Sequence, residues 1–180
     1  KCKRSDAGLT DPDELYRLMT QTYKWDAVGR DDYFVDYQNI YTFCGVMGYR
    51  DLFAQMAKEM NRAGRKEEAI MLLDKGQDVT KTFPLEMTYL RLGNEMAVAN
   101  MIEQYFAAGA PEKAEALATE FCGDLIESLN FFAEFYAYAK SDFETVATYL
   151  YYVCEDILAK NGAKELSDSF IAKAEELIKQ

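Results

Sequence analysis

The side chain most often recruited for proton transfer and zinc binding is missing: the 180 residues contain no histidine. Without an imidazole, no Ser or Cys can belong to a His-based triad, and the common zinc sets are unavailable. Carboxylates are abundant, 31 Asp and Glu against 20 Lys and Arg, but most have structural explanations. Glu67, Glu68 and Glu112 fall in first turns of predicted helices, where they complement the helix dipole. Glu175 and Glu176 belong to a solvated helix face. Asp31, Asp32 and Asp36 lack the Asp-x-Asp-x-Asp-Gly register of a calcium loop, so a solvated loop is expected rather than a metal site. Nothing in the spacing favours a carboxylate pair for glycoside hydrolysis. Cys2, Cys44, Cys122 and Cys154 form no Cys-x-x-Cys and no metal spacing. They read as small hydrophobes, with Cys122 and Cys154 able to face each other across neighbouring helices. Glycine-rich phosphate cradles are absent from the sequence. No catalytic, cofactor-binding or metal-ligating residue is therefore assigned, and a non-enzyme is expected.

A net charge of −11 and a pI near 4.5 argue against partners recognised through phosphates, nucleic acid or anionic lipid, because such binding rests on clustered Lys and Arg. No apolar run reaches the roughly 18–20 residues of a membrane helix, so this segment is not expected to insert. The chain opens with Lys1 and shows no signal peptide, which suggests a piece of a longer protein or a mature form.

The chemically richest stretch, 131–152, is aromatic: Phe131, Phe132, Phe135, Tyr136, Tyr138, Phe143, Tyr149, Tyr151 and Tyr152. Helical spacing puts Phe132, Phe135, Tyr136, Tyr149 and Val153 in the core. Tyr138, Tyr151 and Tyr152 fall off that stripe and are candidates for contact with a peptide or sugar.

The elements that must carry these residues are helices. Residues 47–72 and 92–117 repeat one plan at an offset of 45, with Gly48/Gly93, Met56/Met101, Ala63/Ala108, Gly64/Gly109, Glu67/Glu112, Ala69/Ala114 and Leu72/Leu117 among the identities. Fixed-period self-similarity marks units that bury their apolar faces on their neighbours. Asp11, Pro12 and Glu14 predict a capping box opening a helix with Leu15, Leu18, Met19 and Thr22 as its stripe; an acidic loop follows over 25–39. Helix resumes near Tyr41 with Leu52, Phe53, Met56, Ala57 and Met60 inward. Gly64 ends it in a left-handed conformation, and the next helix buries Ala69, Leu72, Leu73, Gly76 and Val79 before Pro84. The second unit repeats this through Gly109 and Pro111 to Ala114, Leu117, Ala118, Phe121 and Leu125. Ser141 to Glu144 reads as a capping box, Asn161-Gly162 as a turn, and Leu166, Phe170, Ala174 and Leu177 as a last stripe. No strand-type alternation is evident. The expected fold is all-α: residues 1–40 form an N-terminal helix and acidic loop packed on a helical-repeat domain over 41–180, one structural domain overall.

The turn Gly-x-x-Glu-x-Ala, at Gly64–Ala69 and Gly109–Ala114, resembles the inter-helix turn of tetratricopeptide repeats, though the period exceeds the ~34 residues of that class. The resemblance implies stacked antiparallel hairpins in an α-α superhelix. Leu15-Tyr16 through Tyr23-Lys24-Trp25, the acidic loop, and Phe83–Gly93 are similar to the C-terminal soluble region of a bacterial family of polytopic membrane proteins of unknown function. That family resembles the multi-span (GT-C) glycosyltransferases, protein O-mannosyltransferases among them. The resemblance implies a location on the periplasmic side of the inner membrane within a larger protein, with any transferase chemistry outside these residues. It also implies a partner that is a protein or peptide, either a glycan-acceptor polypeptide or another subunit. Tyr49, Gln55, Asn94, Asn100 and Gln104, on the first helices of the hairpins, are the candidate partner face. The alternative readings are a free-standing soluble scaffold, cytoplasmic, and a sugar-binding domain using 131–152.

Overall fold

The computed structural model of the chain describes residues 3–5, 8–30, 32, 34, 46–83, 85 and 94–178. Helix dominates, and the exception is small: Lys3–Ser5 (β1) pairs antiparallel with Gly8–Thr10 (β2), Lys3 opposite Thr10 and Ser5 opposite Gly8. The expectation of an all-helical fold holds for the described residues, and three-residue strands are too short to show alternation in a sequence.

Asp11 caps α1 (Pro12–Arg17): its Oδ1 accepts from the N–H groups of Asp13 (3.0 Å) and Glu14 (3.3 Å). The other half of the expected box does not form. Glu14 instead takes the Arg17 guanidinium at 2.8 and 2.6 Å, a charge-assisted pair stronger than a bond to a neutral amide. A wider π turn, Leu18–Thr22, continues α1 and shifts the phase of its stripe. Met19 is fully buried, Leu15 and Leu18 are half-buried, and Thr22 is exposed rather than inward. Trp25 then pins this segment: its Nε1–H donates to the Met19 carbonyl (2.8 Å), and its ring lies 5.0 Å from Phe53 and 5.4 Å from Tyr49. Of the loop acids, Asp32 pairs with Arg30. Asp31 and Asp36, Cys2 and Cys44, the helix onset at 41–45 and Pro84 lie outside the described residues.

Among the described residues six further helices follow: α2 (Val46–Arg62), α3 (Lys66–Thr80), α4 (Asn94–Ala108), α5 (Pro111–Glu134), α6 (Tyr136–Tyr151, continued by a π turn, Tyr152–Leu158) and α7 (Lys164–Ile178). One turn closes three antiparallel pairs. Gly64, Gly109 and Gly162 take φ of 77°, 82° and 93°, and the residue after each returns its N–H to the helix behind it. These bonds are Arg65 to Met60 O, Ala110 to Tyr105 O and Ala163 to Leu158 O, each 2.9 Å. α2 packs on both α3 and α4, α4 on α3 and α5, α5 on α6 and α7, and α7 on the π turn of α6. The predicted inward faces of both units form one core with 0–6% exposure, only Leu52 remaining half-buried. Gly76 permits a close helix–helix approach: a Cβ there would sit 2.8 Å from the Phe53 side chain.

The fourth connection differs from its expectation. α5 runs unbroken through Gly123 and stops at Phe135 (φ −115°, ψ 24°). The N–H groups of Tyr138 and Ala139 both bond the Phe135 carbonyl, starting α6 with a kink at Ala139. Ser141 therefore lies inside α6 and does not open it; its carbonyl accepts from Thr145 Oγ1 (2.7 Å). The corner also lifts two rings off the core stripe. Phe135 and Tyr136 are 48% and 44% exposed, whereas Phe143 and Val153 are buried and Phe132 and Tyr149 half-buried. Beyond the corner, Cys122 of α5 and Cys154 of α6 are buried as free thiols, and their mutual hydrogen bond, with burial, raises the Cys122 pKa.

Candidate functional site

Between α2 and α4 lies a cleft of about 230 Å³ lined by Asp51, Ala54, Gln55, Met56, Lys58, Glu59, Asn100, Glu103 and Gln104. Its position follows from the repeat. α2 and α4 pack side by side as equivalent first helices, and Gln55/Asn100, Lys58/Glu103 and Glu59/Gln104 are each 45 residues apart. Three of the residues singled out from sequence, Gln55, Asn100 and Gln104, thus meet in one place.

The floor is fixed and the rim is open. Gln104 is only 6% exposed. Its Oε1 accepts from Asn61 Nδ2 (3.2 Å), which also reaches the Gln104 carbonyl (3.0 Å), and its Nε2 donates to Glu103 (3.3 Å). Gln55 is exposed and donates to Asp51 Oδ2 at 2.5 Å. Glu59 accepts from Arg62 at 2.8 Å. The arrangement offers amide donors and acceptors beside carboxylates, which suits hydrogen-bonded recognition. The charged members were missed in the sequence; the signal that finds Lys58, Glu59 and Glu103 is the 45-residue register, because the repeat equivalent of each also lines the cleft, whereas Asp51 has no such partner there.

The other predicted residues lie elsewhere. Tyr49 is roughly 240° around α2 from Gln55 at 3.6 residues per turn, and its ring sits edge-on against Trp25. Asn94 opens α4, and its side chain is outside the described residues. Tyr152 is half-buried, and burial, then Glu103 and Asp156, raise its pKa; the π turn that carries it packs on α4. Tyr151 is also half-buried, with its pKa raised by burial and by Glu175 and Glu155. Tyr138 is 95% exposed at the α5–α6 corner, far along the chain from the cleft; a second hollow of about 540 Å³ at that corner is lined by Tyr136, Phe143 and Ile178 among others.

A third cavity, about 430 Å³, is bordered by Arg50, Thr80, Phe83, Glu120 and Asp124 among others. Arg50 is 1% exposed, and its guanidinium donates to Thr80 Oγ1 (3.1 Å), Thr80 O (3.1 Å) and Phe83 O (2.7 Å). Burial pushes its pKa down to about 10, against the opposing pull of Glu120. It holds the carbonyls at the end of α3, a structural duty. The repeat-equivalent residue is Glu95, also 1% exposed: the same buried position with the opposite sign.

Among the described residues no group of three or more His, Cys, Asp or Glu is placed to hold a metal, and no helix is long and apolar enough to cross a membrane. Protein-family models, curated proteins and solved structures yield no match to this chain.

Proposed function

We propose that the chain is a non-catalytic interaction domain, its hairpins stacked as a tetratricopeptide-like superhelix, with the α2–α4 cleft as its partner-binding site. One observation carries this reading: repeat-equivalent residues of two units converge on one polar cleft set on a rigid apolar core. Repeat stacking produces binding surfaces of this kind. On the sequence resemblance, the domain is the periplasmic C-terminal part of a glycosyltransferase-like membrane protein, and the occupant is an acceptor polypeptide or a partner subunit. Placing a photo-crosslinking residue at Asn100 in native cells tests the site. A discrete cross-linked polypeptide is expected, lost when Gln55 is replaced by Arg; no adduct overturns the assignment. Probing fractionated cells with an antibody to the domain tests its context. A membrane-bound band far heavier than 20.6 kDa is expected, and a soluble band near that mass leaves a free-standing scaffold instead.

The exposed aromatic corner favours a second reading, sugar binding around Tyr138, because rings with a polar tip stack on sugars. Oligosaccharide titrations that leave tyrosine fluorescence flat dismiss it.

A further inference from the structure

We infer that the α2–α4 cleft takes an extended polypeptide segment by its backbone and seats a lysine or arginine of that segment between Asp51 and Glu103; this rests on the cleft being the partner site. The size of the cleft, about 230 Å³, is below the ~300–1,000 Å³ of enclosed small-molecule sites. An open trough of that size suits a strand of chain passing through. Side-chain amides stand on both walls, Gln55 on α2 and Asn100 on α4, above the buried and already engaged Gln104. Each amide carries the donor and acceptor that a peptide unit needs, and an extended segment arrives with its own N–H and C=O groups unpaired.

The charges select the side chain. Three carboxylates, Asp51, Glu59 and Glu103, line the cleft with a single cation, Lys58. Glu59 is engaged by Arg62, and Asp51 is held by the Gln55 amide, a neutral group that leaves its charge in place. On the α6 side, burial raises the Tyr152 pKa and keeps it a neutral phenol, and Asp156 is matched by Lys160 at 2.5 Å. With Glu59 matched, Asp51 and Glu103 stand against the one cation Lys58, so the cleft keeps a net negative charge, within a chain of net charge −11. That field draws cationic segments and repels acidic ones.

Panning a phage library of random linear peptides on the immobilised full chain tests this. Enriched peptides are expected to carry Lys or Arg at a fixed place and to weaken as NaCl rises. Their affinity is expected to fall about tenfold in the Asp51→Asn, Glu103→Gln double variant, the worth of one charge-assisted contact. Filling the cleft with Asn100→Trp should displace them; if that variant fails to fold, Gln55→Arg at the exposed rim serves instead. Cleft-displaceable peptides with no basic residue, or indifferent to the double variant, overturn this inference and leave the site assignment standing. If no enriched peptide is displaced by filling the cleft, both fall.

Discussion

The α2–α4 cleft and the α5–α6 corner present opposite surfaces. In the cleft, polar side chains are engaged by one another beside buried Ala54 and Met56, 1% and 6% exposed. At the corner, Phe131, Phe135, Tyr136, Tyr138 and Ile178 show 44–95% of their surface to solvent. The cleft grows out of repetition, since two copies of one helix laid side by side align their equivalent residues. The corner arises where repetition is interrupted, because a chain reversing at Phe135 throws successive rings out of phase. Polar organisation and apolar exposure in this molecule thus report whether a surface lies inside the repeat register or at a break in it.

That contrast can be broken at several strengths. Phe53 lies under Trp25 and against Gly76, so Phe53→Ala should cost about 3–4 kcal/mol in urea unfolding, the usual price of an emptied aromatic site. Phe135→Ala at the corner should stay within about 0.5 kcal/mol, and equal losses would erase the distinction. In the cleft, Gln104→Leu removes an acceptor from the partly buried Asn61 amide and should cost about 1 kcal/mol. Gln55→Leu on the open rim should change stability little, by less than about 0.5 kcal/mol.

A smaller effect is pH-dependent. Arg65, which also meets Asp13 at 2.7 Å, holds the Glu68 pKa below the ordinary carboxylate value chiefly by hydrogen bonding. A carboxylate with a lowered folded-state pKa contributes stability above its unfolded value, 4.5, and loses it as pH falls through the folded one. Glu68→Gln should therefore cost about 0.5 kcal/mol at neutral pH, a value discounted for solvent screening, and should match the unsubstituted chain in thermal melts under strong acid. The smallest stability change is expected for Phe131→Ser with Phe135→Ser: an unaltered melting temperature, with reduced fluorescence of an added apolar-surface dye.

Much of the fold was legible because its signals are local and repeated. The three left-handed glycines, the Asp11 cap and the inward stripes of both units follow from spacing alone. The α5–α6 corner was not legible. No glycine or proline occurs between Asp124 and Ser141, so nothing in composition marks a reversal, and Ser141 to Glu144 imitates a helix start inside a helix already begun. Long-range competition decided the other misses. Arg17 captured Glu14, and Trp25 captured the Tyr49 face of α2. Within the candidate site, the amides Gln55, Asn100 and Gln104 stood out as polar residues on first helices, whereas Lys58, Glu59 and Glu103 looked like ordinary solvated charge. Only the pairing of the two units distinguishes them.

The buried charges at equivalent positions, Arg50 in the first unit and Glu95 in the second, give the array a fixed order. Two copies of a repetitive chain are prone to domain swapping, in which a hairpin of one molecule docks into the matching berth of another. Here the berths do not match. A first hairpin lodged in the second position would bring a guanidinium where the surroundings accommodate a carboxylate, and the displaced unit would suffer the converse. Each misplacement strands an uncompensated buried charge, a penalty of roughly 3–5 kcal/mol. Sign reversal at one repeat position thereby keeps hairpins of one plan from trading places, within a molecule or between molecules.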